Sequence, residues 1–227
     1  MFSGENRKYS LRLLLVVFLF LGFVLGSYQG VWKKGARKVT TSNLDDTSLN
    51  LVIVWDASRS MWGRVEGVEK IIKSREVLKN VIDNVPENHR LKLRIFGGIN
   101  LEGGNDTPTV TSGNSTRQKV LNQISEIKPE GKSPIGNTLL EAQENLLTKG
   151  ETENHILLVT DGINNGEISI ANAVQKLQEK NTTLHIIHVG KLENNRAANL
   201  REYANVTGGT YYTFFDFQDF AANLRNY

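Results

Sequence analysis

Short apolar runs alternate along this chain with longer segments of helical spacing. After a polar stretch rich in Thr, Ser, Asn and Asp (39–50), "LNLVIVW" is a continuous apolar run of strand length. A helical pattern follows over Val65 to Val85 and stops before Pro86. In "LKLRIFG", Leu91, Leu93 and Ile95 alternate with Lys92 and Arg94, the period of a strand. "GGINLEGGND" is a glycine-rich turn region, and "TPTV" is a short edge strand in which Pro108 is tolerated. Helices are expected over Ser115–Ile127, capped by Ser115, and over Ile135–Leu147. The second fully apolar strand is "HILLVTDG". It is followed by a helix over Ile168–Lys180, the strand "TLHIIHVG", a helix over Asn194–Ala204, the strand "GTYYTFF" and a last helix from Phe217.

Strands that alternate with helix-length segments predict an α/β fold, Rossmann-like and doubly wound, with a mostly parallel central sheet and helices on both faces. Ligands of such sheets bind at the carboxyl ends of the strands, near the point where strand order switches. Two apolar strands here end in a carboxylate at that edge: Asp56 after "LVIVW" and Asp161 after "HILLVT". The loop "PEGKSPIG" brings Ser133 in front of Pro134, and Ser58 and Ser60 follow Asp56 at alternate positions. If the three loops meet, they gather two carboxylates and three hydroxyls. All are hard oxygen donors without sulfur or imidazole, a set suited to Mg²⁺, Mn²⁺ or Ca²⁺. Two negative charges leave such a cation electrophilic toward a further anionic ligand.

These three segments resemble the von Willebrand factor A-domain family. Asp56-Ala57-Ser58-Arg59-Ser60 is similar to its D-x-S-x-S motif, Ser133 falls at the loop threonine of its G-x-T-P context, and Thr160-Asp161-Gly162 matches its T-D-G segment. The resemblance runs from about Leu49 to Asn223, and its wording is closest to bacterial stand-alone members. It implies a metal-ion-dependent adhesion site in which Ser58 and Ser60 coordinate directly and Asp56 and Asp161 act mostly through water. Ser133 would join directly or through water, and an acidic residue of a protein partner would complete the octahedron. The sequence departs from the family pattern twice. Ser133 lacks the methyl group that helps to hold a threonine rotamer. Arg59 stands where glycine is frequent; pointing outward it would engage the partner's carboxylate, and pointing inward it would weaken metal affinity.

Composition adds a second region. Hydrophobic residues make up 39% and charged residues 22% of the 227 residues, values ordinary for one globular domain with a short appendage. The net charge of +3 conceals an asymmetry: residues 1–40 carry seven Lys/Arg and one acidic residue, whereas the remainder is net negative by three. The basic character therefore belongs to the amino terminus and does not mark a nucleic-acid-binding face. There, Arg7, Lys8 and Arg12 precede 20 uncharged residues, Leu13–Trp32, with Tyr28 and Trp32 at interfacial positions and Lys33 and Lys34 beyond. About 20 apolar residues cross a bilayer as a helix.

The expected organisation is a basic region (1–12), a transmembrane anchor or signal sequence (13–32), a polar and basic linker (33–48) and the A-type domain (49–227). Val24 and Gly26 are small enough for signal cleavage, but there is no A-x-A pattern, which favours an uncleaved single-pass anchor over secretion. Lys33, Lys34, Arg37 and Lys38 compete with the amino-terminal charges in setting orientation, and the domain is expected to face away from the cytoplasm.

Other chemistries fare poorly. The chain has no cysteine, no Walker A sequence, no G-x-S-x-G elbow and no dinucleotide glycine fingerprint. His185 and His188 lie three apart on a strand and so face opposite sides, and all four histidines read as structural or solvent-facing. Trp62 is expected in the core, and Asn164, Asn165 and Glu167 as solvated loop residues. The expectation is a metal-dependent protein-binding domain without catalysis or small-molecule cofactor. The rivals are a metal-dependent hydrolase on the same sheet and, ranked lower, an accessory subunit of a membrane transport or channel assembly.

Overall fold

The computed structural model describes residues 49–86, 89–99, 110–111, 114–146, 153–190 and 194–224. The expected anchor and linker, with Pro108 and most of the glycine-rich stretch, lie outside them. Among the described residues no helix is long and apolar enough to cross a membrane.

Strand β1 (Asn50–Asp56) is buried at every position. It is followed by a 3₁₀ turn (Arg59–Trp62), a tight hairpin of β2 (Arg64–Val65) and β3 (Val68–Glu69), and helix α1 (Lys70–Asn84). Next come β4 (Arg90–Phe96), β5 (Gly98–Ile99), β6 (Val110–Thr111), α2 (Asn114–Glu126), β7 (Lys128–Pro129) and α3 (Ile135–Glu144). The carboxyl-terminal half consists of β8 (Asn154–Thr160), α4 (Ile170–Glu179), β9 (Thr182–His188), α5 (Asn194–Val206), β10 (Tyr211–Thr213) and α6 (Phe217–Asn223).

The six-stranded sheet has the order β10-β9-β8-β1-β4-β6. Every pairing is parallel except that of the edge strand β6, which runs antiparallel to β4. Winding proceeds from β1 to β4 on one side and resumes at β8 on the other, so strand order reverses at β1. Alternation along β1 explains its unbroken apolar run. Leu51, Ile53 and Trp55 pack with Ile71, Leu78 and Ile82 of α1 and Phe217 and Phe220 of α6. Val52 and Val54 pack with Leu139 of α3, Val174 and Leu177 of α4 and Leu200 of α5. A strand covered on both faces has no solvent side and needs apolar residues throughout.

Three local expectations change. The helix expected from Val65 begins at Lys70, because Glu66 and Gly67 take positive φ (52° and 78°) and close the β2–β3 hairpin. Ser115 lies inside α2, which starts at Asn114. Trp62, expected in the core, is 46% exposed. Its indole Nε1 donates to the carbonyl oxygen of Pro129 at 2.8 Å, so the ring is held at the surface by its polar edge.

Candidate metal centre

Asp56 closes β1 at the strand-order switch and is fully buried. Its Oδ1 accepts from the Ser58 amide at 2.9 Å, while Oδ2 accepts from Thr160 Oγ1 at 2.6 Å and Ser133 Oγ at 3.2 Å. One carboxylate thus joins the ends of β1 and β8 to the loop before α3. The strand alternation that first placed Ser58 and Ser60 on one side does not continue. Ser58 is extended (φ −70°, ψ 166°), and the 3₁₀ turn then folds Ser60 back, leaving the two Oγ atoms 3.1 Å apart. Ala57 is buried in the core on the α1 face. Arg59 points outward and pairs with Glu130, both side chains being exposed. The hydrogen bond and charge of Arg59 hold the Glu130 carboxyl below its usual range.

The Ser133 loop is clasped at two points. The Ser133 amide donates to Asn165 Oδ1 at 2.6 Å, and the Asn165 amide donates to the Ser133 carbonyl at 2.9 Å. The Glu130 amide reaches the carbonyls of Ala57 (3.0 Å) and Gly97 (2.7 Å), tying the same loop to the ends of β1 and β4. Gly97 has φ +69°, and a Cβ there would lie 2.6 Å from the Lys132 carbonyl oxygen and 2.7 Å from Ser58 Cα. No residue with a side chain fits at this crossing.

Asp161 follows β8 directly and is buried. Its Oδ2 accepts from Lys70 Nζ at 2.8 Å and its Oδ1 from the Ile163 amide at 3.3 Å. The structure therefore brings Asp56, Ser58, Ser60 and Ser133 into one hydrogen-bonded group, with Asp161 beside it. Burial pushes the Asp56 carboxyl up to about 6, and the charge of Asp161 adds to that rise against the hydrogen bonds from Ser58 and Thr160. The two buried carboxylates act on one another, the ammonium of Lys70 pairs with Asp161, and three hydroxyls stand beside them.

That donor set fits a hard divalent cation. It does so through hydroxyls and not through number of carboxylates: among the described residues no cluster of three or more His, Cys, Asp or Glu could hold a metal. All four histidines are buried. His185 stacks on His155, while His188 Nε2 lies 3.0 Å from the Asp161 carbonyl on the opposite face. Sequence reasoning missed Thr160, Lys70 and Asn165 as parts of the site. Thr160 stood inside the T-D-G segment and offered a signal, whereas Lys70 and Asn165 are brought in by tertiary folding alone.

A doubly wound α/β domain whose central strand ends in a buried aspartate ringed by hydroxyls defines a class with its site at the strand-order switch. Within that class, this chain belongs to the family of the von Willebrand factor type A domain, whose model matches residues 50–226. It is similar to the uncharacterized protein YwmC of Bacillus subtilis, 29% identical over 184 residues that cover 75% of this chain and 78% of that protein. An aerotolerance-related membrane protein from Bacteroides fragilis shares the fold at 17% identity and a TM-score of 0.60, over 79% of this chain and 98% of that one. So does the manganese-loaded TRAP protein of Plasmodium vivax, at 20% identity and a TM-score of 0.56, over 78% and 71% of the two chains.

Proposed function

We propose that this chain is a bacterial, membrane-tethered adhesion or scaffolding protein whose domain binds a protein partner through a divalent cation. The observation that carries the reading is the Asp56 carboxylate, fully buried and joined by hydrogen bonds to Ser58, Ser133 and Thr160 from three separate segments. Ser58, Ser60 and Ser133 would hold Mg²⁺, or Mn²⁺ or Ca²⁺, through their hydroxyls, and Asp56 and Asp161 through water. Bound there, the cation supplies an electrophilic position for an Asp or Glu of the partner.

The chain's own residues supply the rest. The Asn165 clasp holds Ser133 toward Asp56. Arg59, exposed beside Ser58, offers a guanidinium to an arriving carboxylate once it leaves Glu130. Trp62, fixed through Pro129, presents an aromatic face two residues beyond Ser60. Residues 13–32 anchor the chain as a single pass, with the domain outside the cytoplasm. The description of the Bacteroides relative as a membrane protein supports tethering, and the manganese in the Plasmodium structure supports a metal on this fold.

The reading has no catalytic step. It predicts that crosslinking and pulldown from native membranes recovers a protein set that disappears with EDTA and with Asp56→Ala. Recovery of the same proteins by wild type and Asp56→Ala would remove the functional content of the site. Turnover of generic phosphate esters that is lost in Asp56→Ala would replace the binding role with the hydrolase.

A further inference from the structure

Lys70 opens α1, where a positive charge opposes the helix dipole. Its side chain nevertheless turns inward, only 18% exposed, and ends 2.8 Å from Oδ2 of Asp161, itself 1% exposed. The path it takes is bordered by two glycines. A Cβ on Gly63 would lie 3.3 Å from Lys70 Cε and Nζ, and one on Gly190 would lie 3.5 Å from Cε. The start of the helix is pinned as well. The Lys70 amide donates to the Gly63 carbonyl at 2.8 Å. One turn further on, Ser74 Oγ accepts from the indole of Trp55 at 2.9 Å, and Trp55 is the neighbour of Asp56. The ammonium group is thus delivered to the carboxylate cluster from a fixed helix through a narrow path, unlike a mobile surface lysine.

We propose that Lys70 is a built-in counter-cation that neutralises Asp161 when the site is empty of metal and lowers its affinity for divalent cations. This rests on the metal-binding reading above. Asp56, Asp161 and Lys70 together sum to a single negative charge, which attracts a divalent cation but meets it with a like charge one carboxylate away. Lysine and metal therefore compete for Asp161. A partner's carboxylate restores the balance, so metal and partner load the site together more strongly than either does alone.

The test is titration of the detergent-solubilised full chain with MnCl₂ by calorimetry, in wild type, Lys70→Met and Lys70→Gln, with melting measured in EDTA and in MnCl₂. Removing a like charge next to a divalent cation is expected to tighten Mn²⁺ binding about tenfold or more in both neutral variants. Melting in EDTA should fall in both, because Asp161 loses its partner, and the gain in melting temperature on adding Mn²⁺ should grow. Lys70→Gln keeps a hydrogen-bond donor and covers the case in which Lys70→Met does not fold. Mn²⁺ binding that is equal or weaker in the neutral variants, with wild type binding, would overturn the role of Lys70 and leave the metal site standing. Binding by the variants and not by wild type would support it in its strongest form. Silence in all three proteins would remove the metal site and the inference together.

Discussion

Asp56 and Thr160 are 104 residues apart in sequence and share a 2.6 Å hydrogen bond in which the hydroxyl donates to Oδ2. The same Oγ1 accepts from the Gly162 amide at 3.0 Å, so one threonine both serves the buried carboxylate and shapes the turn after Asp161. Thr160→Val keeps the branched shape and removes both bonds. Bonds to a charged group are worth about 1.5–3 kcal/mol, and a loss of that order is expected in urea unfolding. If the site holds a cation as proposed, its affinity should also fall, because Asp56 is then free to turn away from Ser133. Asp56, Ser58, Ser60, Ser133 and Asp161 were singled out in sequence because they stand in short motifs at strand ends or just before a helix. Lys70 and Asn165 were not, since they reach Asp161 and Ser133 from 91 and 32 residues away. Nothing in their own neighbourhoods separates them from ordinary solvated side chains. The direction of Arg59 was equally hidden, because Glu130, its partner, lies 71 residues on.

Between the first strand and first helix, the apolar spacing of Val65, Val68, Ile71 and Ile72 reads as helix from one end to the other. The backbone overrides it at Glu66-Gly67, where a two-residue turn with both φ positive makes a hairpin of Arg64–Glu69 and leaves only Ile71 and Ile72 in the helix. This delay places Lys70, and no earlier residue, at the helix start. Two glycines of positive φ separate conformational cost from steric cost. Gly67 (φ +78°) has nothing within 4 Å of an added Cβ, whereas at Gly97 (φ +69°) the Cβ meets backbone atoms at 2.6 and 2.7 Å. Gly67→Ala is expected to cost about 1 kcal/mol, the left-handed penalty alone. Gly97→Ala should cost at least about 2 kcal/mol more, because the Ser58 and Ser133 loops must part. Denaturant unfolding of the two variants gives that order, and equal losses would show that the crossing at Gly97 is not tight.

For the molecule as a whole, the alternation of strands and helices made the parallel sheet legible, and two carboxylates at strand ends marked its working edge. What holds the far face together was less visible. His155, His185 and Phe220 form a buried aromatic column between β8, β9 and α6. The Thr210 amide donates to His185 Nδ1 at 3.2 Å, so the ring proton sits on Nε2, which lies 3.0 Å from His155 Nδ1; His155 Nε2 in turn faces Glu153 at 3.4 Å. Burial and the neighbouring ring push His185 down to about 3, and burial lowers His155 as well. The unfolded chain therefore takes up these protons first as pH falls below the ordinary value of 6.5. The contribution to stability is complete above that pH and is lost progressively toward about 3. Asp56 acts in the opposite sense, since its folded carboxyl keeps a proton up to about 6 against 3.8 unfolded. Urea unfolding of wild type and His185→Leu from pH 7 to pH 4 cancels the carboxylate contribution. The stability difference between the two should move in favour of the variant as pH falls, and a constant difference would exclude the histidine pair as its source.

The first strand of the domain is also its central one. The chain enters at residue 49 on one edge of the sheet, and the site lies at Asp56 on the other, about 20 Å away for a strand of this length. Between them β1 is bonded to parallel neighbours on both sides, with β4 over Asn50–Asp56 and with β8 over Asn50–Trp55. Under the proposed function, a pull between residue 49 and a partner held at the site would enter and leave through β1 itself, because Ser58 and Ser60 follow that strand directly, and would be carried along its covalent backbone. The ladders to β4 and β8 would hold the strand straight without themselves standing between the two points of load. The topology that gathers the candidate site residues at the end of the first strand would thus leave the rest of the fold outside the line of tension.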